Sequence, residues 1–243
     1  QLARMGSILF LLALPLNYML GWSIPTIIIV TGVAVLLFSA MGGIKAVIWT
    51  DAIQGIILIV GAVACAIILT INIPGGLGQL IEVGNEYNKF SMGSLSSSLT
   101  EKTFWVLLIY GLFTNLQNYG IDQNYIQRYM TAKDDKSAKN STLLGGLLYV
   151  PVSLIFVYIG TALFVYYKTS GTLPADVTGD SVFPYFIVNG LPTGITGLMI
   201  ASIMAAGMST VSTSLNSSST IILTDFYKHF KKDVSEKESM VVL

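Results

Sequence analysis

Reactive side chains are almost missing from this chain of 243 residues: it has one cysteine and one histidine. Cys65 lies inside an apolar run, where it reads as a small packing residue rather than a redox or metal group. His229 sits in a polar tail with no partner at ligand spacing. Metal and nucleophile chemistry therefore lack their parts, and no enzyme is expected. Charge is scarce too, at 11% of residues, and 13 basic residues balance 13 acidic ones. A neutral chain gives no reason to expect a nucleic-acid or polyanion partner. A leader pattern is also missing: the apolar run starts directly after Gln1. The expectation is a piece cut from a longer protein, with a further helix expected beyond SEKESMVVL.

What is present is hydrocarbon. With 53% hydrophobic residues and repeated runs of spanning length, the composition predicts an all-α polytopic membrane protein. Hydropathy and breakers mark about six transmembrane helices, at residues 2–20, 24–41, 44–71, 104–128, 141–167 and 193–226. Lysine and arginine set the orientation. Arg128, Lys133, Lys136 and Lys139 follow the fourth span and Lys228, Lys231 and Lys232 follow the sixth, so both segments, and the turn at 42–45, are expected in the cytoplasm. Segments 74–102 and 168–192 then lie outside, with a short interfacial helix at 77–83.

The sixth span, ASIMAAGMSTVSTSLNSSSTIILTDFY, carries hydroxyls through its middle. Ala206, Ser209, Thr210 and Thr213 share one helical face, with Ser212 on its edge. Such a face allows two uses. Small and hydroxyl residues let helices pack closely and bond across the contact; a row of oxygens also supplies half a cage for a hard cation. Asp51, in the third span, is the acid most out of place in hydrocarbon. It reads either as an interfacial residue bonded near its helix start or as a carboxylate that is protonated, paired or cation-bound. Its depth, roughly two turns in, is comparable with that of Ser212 and Thr213, roughly three. The fourth span is crowded with Asn115, Gln117, Asn118, Asp122, Gln123, Asn124 and Gln127, so it is expected to line a cavity, a broken helix or the cytoplasmic exit. Arg4 reads as a snorkelling flank or an anion ligand, and side-chain physics favours the flank.

Three stretches, MGGIKAVIWTDAIQG, GIDQNYIQRYMTAKDDKSAKNS and MSTVSTSLNSSSTIILTDFYK, together resemble the sodium/solute symporter family, in order and over nearly the whole chain. The DQxxxQR element and the hydroxyl run ending in DxYK carry the likeness. The bacterial sialic acid branch is similar in the Arg4 to Asp51 spacing, in GTALFVYY and in the PxGIxGL element before the hydroxyl helix.

The resemblance implies a partial inverted-repeat fold of the leucine-transporter type, with residues 1–243 a fragment of one transport domain holding core helices three to eight. Residues 227–243 would be a cytoplasmic tail leading to a missing helix. It further implies a shared sodium site made by the Ala206 carbonyl with Ser209 and Thr210, and a second one made by Asp51 with Ser209, Ser212 and Thr213. Thr210 and Thr213 stand where the sialic acid branch usually has serine. Arg4 matches the arginine that holds the solute carboxylate, Asn115 a sugar ligand of the galactose branch, and Gln117 and Asn118 replace that branch's inner aromatic gate.

The implied activity is symport of a small organic solute with Na+ across the cell membrane, the partners being sodium, the solute (sialic acid or another carboxylate or sugar) and the lipid bilayer. A sodium/solute-symporter-like sensor, a symporter for a neutral sugar or other solute, a channel and a packing scaffold are the alternatives.

Overall fold

The computed structural model describes residues 2–231, 233–235 and 238–239. Among them every regular element is a helix. In chain order these are α1 (Leu2–Leu20), α2 (Ile24–Asn72), α3 (Gly76–Glu86), α4 (Phe104–Ile121), α5 (Gln123–Met130), α6 (Asp135–Thr169), α7 (Val182–Asn189), α8 (Thr193–Ile221) and α9 (Lys228–Phe230). A π-helical segment, Ile222–Tyr227, joins α8 to α9. Contacts divide the chain into two compact units, Gln1–Leu69 with Thr172–Leu243, and Thr70–Gly171.

Among the described residues four helices have the length and hydropathy to cross a bilayer, Leu2–Leu20, Val47–Asn72, Asp135–Thr169 and Thr193–Phe230, and Ile24–Ala40 is a shorter apolar helix. Their exteriors remain apolar, since Ile53, Ile56 and Ile67 are 56%, 63% and 54% exposed. Rows of exposed isoleucine are tolerable in lipid and costly in water.

Local chemistry explains most boundaries. Gly21 ends α1 in the left-handed conformation (φ 70°), and its N–H closes on the Asn17 carbonyl at 2.9 Å, a turn that glycine adopts without a Cβ penalty. The Asp134 carboxylate accepts the Ser137 N–H at 2.7 Å, so α6 starts at Asp135, six residues before the hydropathic start at 141. A polar first turn adds nothing to hydropathy, but an aspartate cap starts the helix there all the same. The hydrogen bonds that the Ser137 N–H and side chain give Asp134 hold its carboxyl below the usual range.

Two boundaries differ from the sequence reading. The turn expected at 42–45 is helical, and α2 runs unbroken for 49 residues. Glycine lowers helix propensity by only about 1 kcal/mol per residue and, unlike proline, keeps its N–H. The fourth span stops at Ile121 instead of reaching Arg128. Asp122 leaves the helix (ψ 122°) and its side chain caps α5. α4 is long enough to span, but its polar end keeps it out of the set that is both long and apolar. α7 was hidden in a segment read as loop, and α3 extends the expected short helix. The helix expected past the tail lies outside the described residues.

In the first unit α1, α7 and α8 pack together around Leu12, Ala13, Leu16 and Ile27, against which Ile200, Ile203 and Met204 also lie. Gly207 permits this approach: a Cβ there would meet the Leu12 methyls at 2.5 and 2.7 Å. Thr196 Oγ1 donates to the Ile187 carbonyl at 2.9 Å and ties the end of α7 to α8. In the second unit α3 lies on α6. There the Lys89 ammonium sits 3.9 Å over the Phe164 ring, and Tyr87 packs edge-on against the same ring.

Candidate functional site

The site is built on α8 and on the stretch of α2 that faces it. Hydroxyls on a membrane helix must find acceptors, and the nearest are carbonyls of the preceding turn. Thr210 Oγ1 donates to the Ala206 carbonyl at 2.9 Å, and Ser212 Oγ to the Ser209 carbonyl, also at 2.9 Å. Each of these bonds sets two oxygens side by side on the helix wall. Ser202, Ser212, Ser214 and Ser217 are fully buried, and Thr213 nearly so at 7% exposed. These five hydroxyls therefore face protein, not lipid, while Ser209 and Thr210 are half-buried.

Hydrogen bonds fasten α8 to α2. Thr213 Oγ1 donates to Asp51 Oδ2 at 3.2 Å, across 162 residues of sequence. Ser202 Oγ donates to the Ile57 carbonyl at 3.1 Å, and next to it Gly61 leaves room for Ser202 Cβ and the Met199 sulfur, which an added Cβ would meet at 3.2 and 3.4 Å. Later residues of α2 thus meet earlier residues of α8, so the two helices run antiparallel along this contact.

Of the residues singled out by sequence, the structure joins Asp51 to Thr213 directly and Ala206 to Thr210. It places Ser209 one turn before Thr213 on the same helix, with Ser212 bonded to the Ser209 carbonyl. A carboxylate beside a file of neutral oxygens is a donor set for a hard monovalent or divalent cation. Among the described residues no group of three or more histidine, cysteine, aspartate or glutamate side chains gathers as a transition-metal site would require.

Arg4 is exposed near the start of α1, in the same unit. Asn115, Gln117 and Asn118 belong to the second unit. Asn115 Nδ2 donates to the Gly111 carbonyl of its own helix at 2.8 Å; the Gln117 carbonyl accepts the Asp122 N–H at the end of α4. The polar run past the break behaves differently, for Asn124 and Gln127 on α5 are buried. The helix is broken at Asp122, and tyrosines flank the break, Tyr119 and Tyr125 with ring centroids 5.0 Å apart.

Ser202, which bonds the Ile57 carbonyl of α2, and Gln54, whose amide oxygen is covered, are polar residues that the sequence reading passed over. Ser202 was visible as part of a small-residue series with Ala206 and opposite Gly61. Gln54 carried a signal as well, an amide one turn beyond the acid on a membrane helix.

Comparison with known proteins places this geometry in context. The sodium:solute symporter family model matches residues 2–243. The sodium/sialic acid symporter SiaT of Proteus mirabilis (strain HI4320) is 34% identical over 240 residues, covering 98% of this chain and 48% of its own length. NanT of Aliivibrio fischeri (strain ATCC 700601 / ES114), another sodium/sialic acid symporter, is 31% identical over 242 residues, covering 99% of this chain and 48% of its own. The sodium-coupled monocarboxylate transporter 2 of Bos taurus is 31% identical, with 96% and 39% covered. A solved structure described as the substrate-bound outward-open state of a Na+-coupled sialic acid symporter with a novel Na+ site superposes with a TM-score of 0.94. It is 34% identical and covers 99% of this chain and 51% of that one. The chain spans about half the length of the curated relatives it matches.

Proposed function

Since the chain belongs to the sodium:solute symporter family, we propose that it forms part of a sodium-coupled secondary active symporter in the cell membrane, working by alternating access. The observation that carries this reading is the Asp51–Thr213 contact at the buried hydroxyl face of α8. Here an acid that is expensive in hydrocarbon lies beside oxygens able to share a cation with it.

In this reading one sodium is held by the Ala206 carbonyl with Ser209 and Thr210, and a second by Asp51 with Ser209, Ser212 and Thr213. The extra methyls of Thr210 and Thr213 keep the oxygens and narrow the space around them. Sodium entering the cell releases roughly 2.3 kcal/mol per charge per 100 mV from the potential alone. That energy reaches the solute only if the ion prefers one conformation, so the site must bind sodium more tightly in the outward-facing state. No bond in the solute is made or broken. The α1, α2, α4, α6 and α8 segments correspond to core helices three to eight of an inverted repeat, α2 supplying two of them.

The solute class we propose is a carboxylate. Arg4 offers a planar fork suited to one, and sodium-coupled sialic acid and monocarboxylate transporters both stand among the relatives. Asn115 would bind solute hydroxyls, and Gln117 and Asn118 would line the inner exit. A neutral sugar is the second reading, and it rests on Asn115.

The test is uptake by the full-length protein in proteoliposomes, with sialic acid, pyruvate, glucose, galactose and proline offered under an inward sodium gradient. Saturable uptake of a carboxylate that needs sodium, and that collapses when Ser209 and Thr210 are both replaced by alanine, is the expected result. Uptake indifferent to sodium would remove the proposal; uptake of neutral solutes alone would remove the role of Arg4.

A further inference from the structure

We propose that the place where α3 and α6 both end is a binding site for the phosphate of an anionic phospholipid, held by Lys89 and Lys168 over the packed rings of Tyr87 and Phe164. The site lies wholly within the second unit and is independent of the symport reading.

Local backbone chemistry brings the two lysines together. Asn88, just past α3, takes the left-handed conformation (φ 53°), which asparagine adopts more readily than most residues. Its N–H bonds the Asn85 carbonyl at 3.0 Å, and the Lys89 N–H bonds the Gly84 carbonyl at 2.8 Å. This Schellman-type ending turns Lys89 and Phe90 back toward the helix they have just left. Gly84 makes room for the return, since a Cβ there would meet Phe90 Cε2 at 2.5 Å. On α6, Lys168 stands four residues past Phe164, and helical side chains lean over the preceding turn, so its head is carried back toward the level of that ring.

The resulting cluster is reciprocal. Tyr87 packs edge-on against Phe164, with centroids 5.3 Å apart. The Lys89 ammonium, from the end of α3, lies 3.9 Å over Phe164 of α6, and the Lys168 ammonium, from α6, lies 5.2 Å over Tyr87. Both lysines are exposed, as are Glu82 and Glu86 on α3, yet neither lysine is paired with a carboxylate among the described residues. Two cations on neighbouring rings repel each other, and a ring face answers only part of an ammonium's demand. Each keeps N–H donors for an anion placed between them. Lysine serves a phosphate as a point charge, with no need for a fork.

The surroundings select a lipid as the source of that phosphate. Lys168 is in the last turn of α6, a helix long and apolar enough to span, so its head lies where hydrocarbon gives way to headgroups. Tyr166 and Tyr167 occupy the same turn with centroids 5.0 Å apart, the residue type enriched at that boundary. On α3, Leu77 and Ile81 are four residues apart and exposed, at 53% and 48%; acyl chains cover such a row at less cost than water does. Because segments 74–102 and 168–192 are the ones expected outside, the lipid comes from the outer leaflet.

The experiment titrates phosphatidylglycerol into the full-length protein, purified in a neutral detergent, and reads the lipid concentration at half of the rise in melting temperature. Phosphatidylcholine and inorganic phosphate are the comparison titrants. Lys89→Ala and Lys168→Ala should each raise that concentration about fivefold, and the double variant about thirtyfold. Exchanging both lysines for arginine, which keeps the charge, should leave it within about threefold of the parent. A double alanine variant that melts lower without lipid yet keeps the parent phosphatidylglycerol curve overturns the site, because the lysines would then only brace two helix ends. Inorganic phosphate that matches the lipid curve overturns the lipid as occupant, and phosphatidylcholine that matches it overturns the demand for net negative charge. If the double alanine variant does not fold, Lys89→Gln combined with Lys168→Gln, which keeps the stems on the rings and removes the charges, is read by the same curve and the same criterion.

Discussion

α8 and α4 are both apolar helices interrupted by a row of polar residues, yet they handle the polarity in opposite ways. On α8 five serines are buried, four of them completely. α4 has no buried residue at all, and Asn115 returns its amide to its own backbone. Side-chain reach accounts for part of the contrast. A serine hydroxyl stays close to the helix wall, bonds a carbonyl one turn back, and lets a neighbouring helix come close. An amide extends past the wall and needs either a polar partner or a wet surface. Partners account for the rest, because α8 has Asp51 and the Ile57 carbonyl across from it. Polar residues in a span are therefore not one signal: on α8 the hydroxyls mark a close contact, and on α4 Asn115 and Gln117 stay exposed.

The strongest way to break this comparison is to force α2 away from α8. Gly61→Val would drive a side chain into Ser202 and Met199, and it should cost about 3 kcal/mol of stability, near the top of the overpacking range, read as a lower melting temperature in detergent. A valine tolerated within about 0.5 kcal/mol would mean that the contact is not tight. Next comes Thr213→Val, which keeps the shape and removes the donor to Asp51. About 1–2 kcal/mol should be lost, because a covered carboxylate loses a partner, and the sodium half-saturation of the full-length transporter should rise. Equal sodium curves would separate this pair from the ion.

On α4 the expected effect is smaller. Asn115→Leu exchanges one self-satisfied amide for an apolar group at an exposed position, so stability should change by less than about 0.5 kcal/mol. A loss of solute affinity without a loss of stability would show that the amide serves the solute. Weakest of all is the start of α6. The Asp134 carboxyl is held below its usual value by the hydrogen bonds to Ser137, so the cap contributes above the ordinary aspartate range and is lost as pH falls through the lowered value. Asp134→Asn should keep the cap and abolish this acid-side change, read as hydrogen exchange at the Ser137 amide.

How much was legible beforehand follows from which forces are local. Hydropathy located α1, α6 and α8 to within about two turns, since burial in lipid depends on each stretch by itself. It missed α7, an eight-residue helix too short for a spanning window, and it ran the fourth span through Asp122, where a single capping side chain outweighs the apolar trend. The depth comparison did bring Asp51 and Thr213 to one level, because rise per residue is fixed in a helix. It did not find the bond from Ser202 to the Ile57 carbonyl, which depends on what stands opposite.

By itself the sequence determined that the chain is helical, membrane-embedded and striped with oxygens along its last long helix, because periodicity and transfer free energy act within a segment. Only the tertiary structure decided that α2 lies antiparallel against that stripe and that Thr213 donates to Asp51 while Ser202 donates to the Ile57 carbonyl. Those outcomes depend on packing between residues some 150 positions apart, such as Ser202 and Ile57 at a separation of 145, and no local preference encodes which helix face meets which.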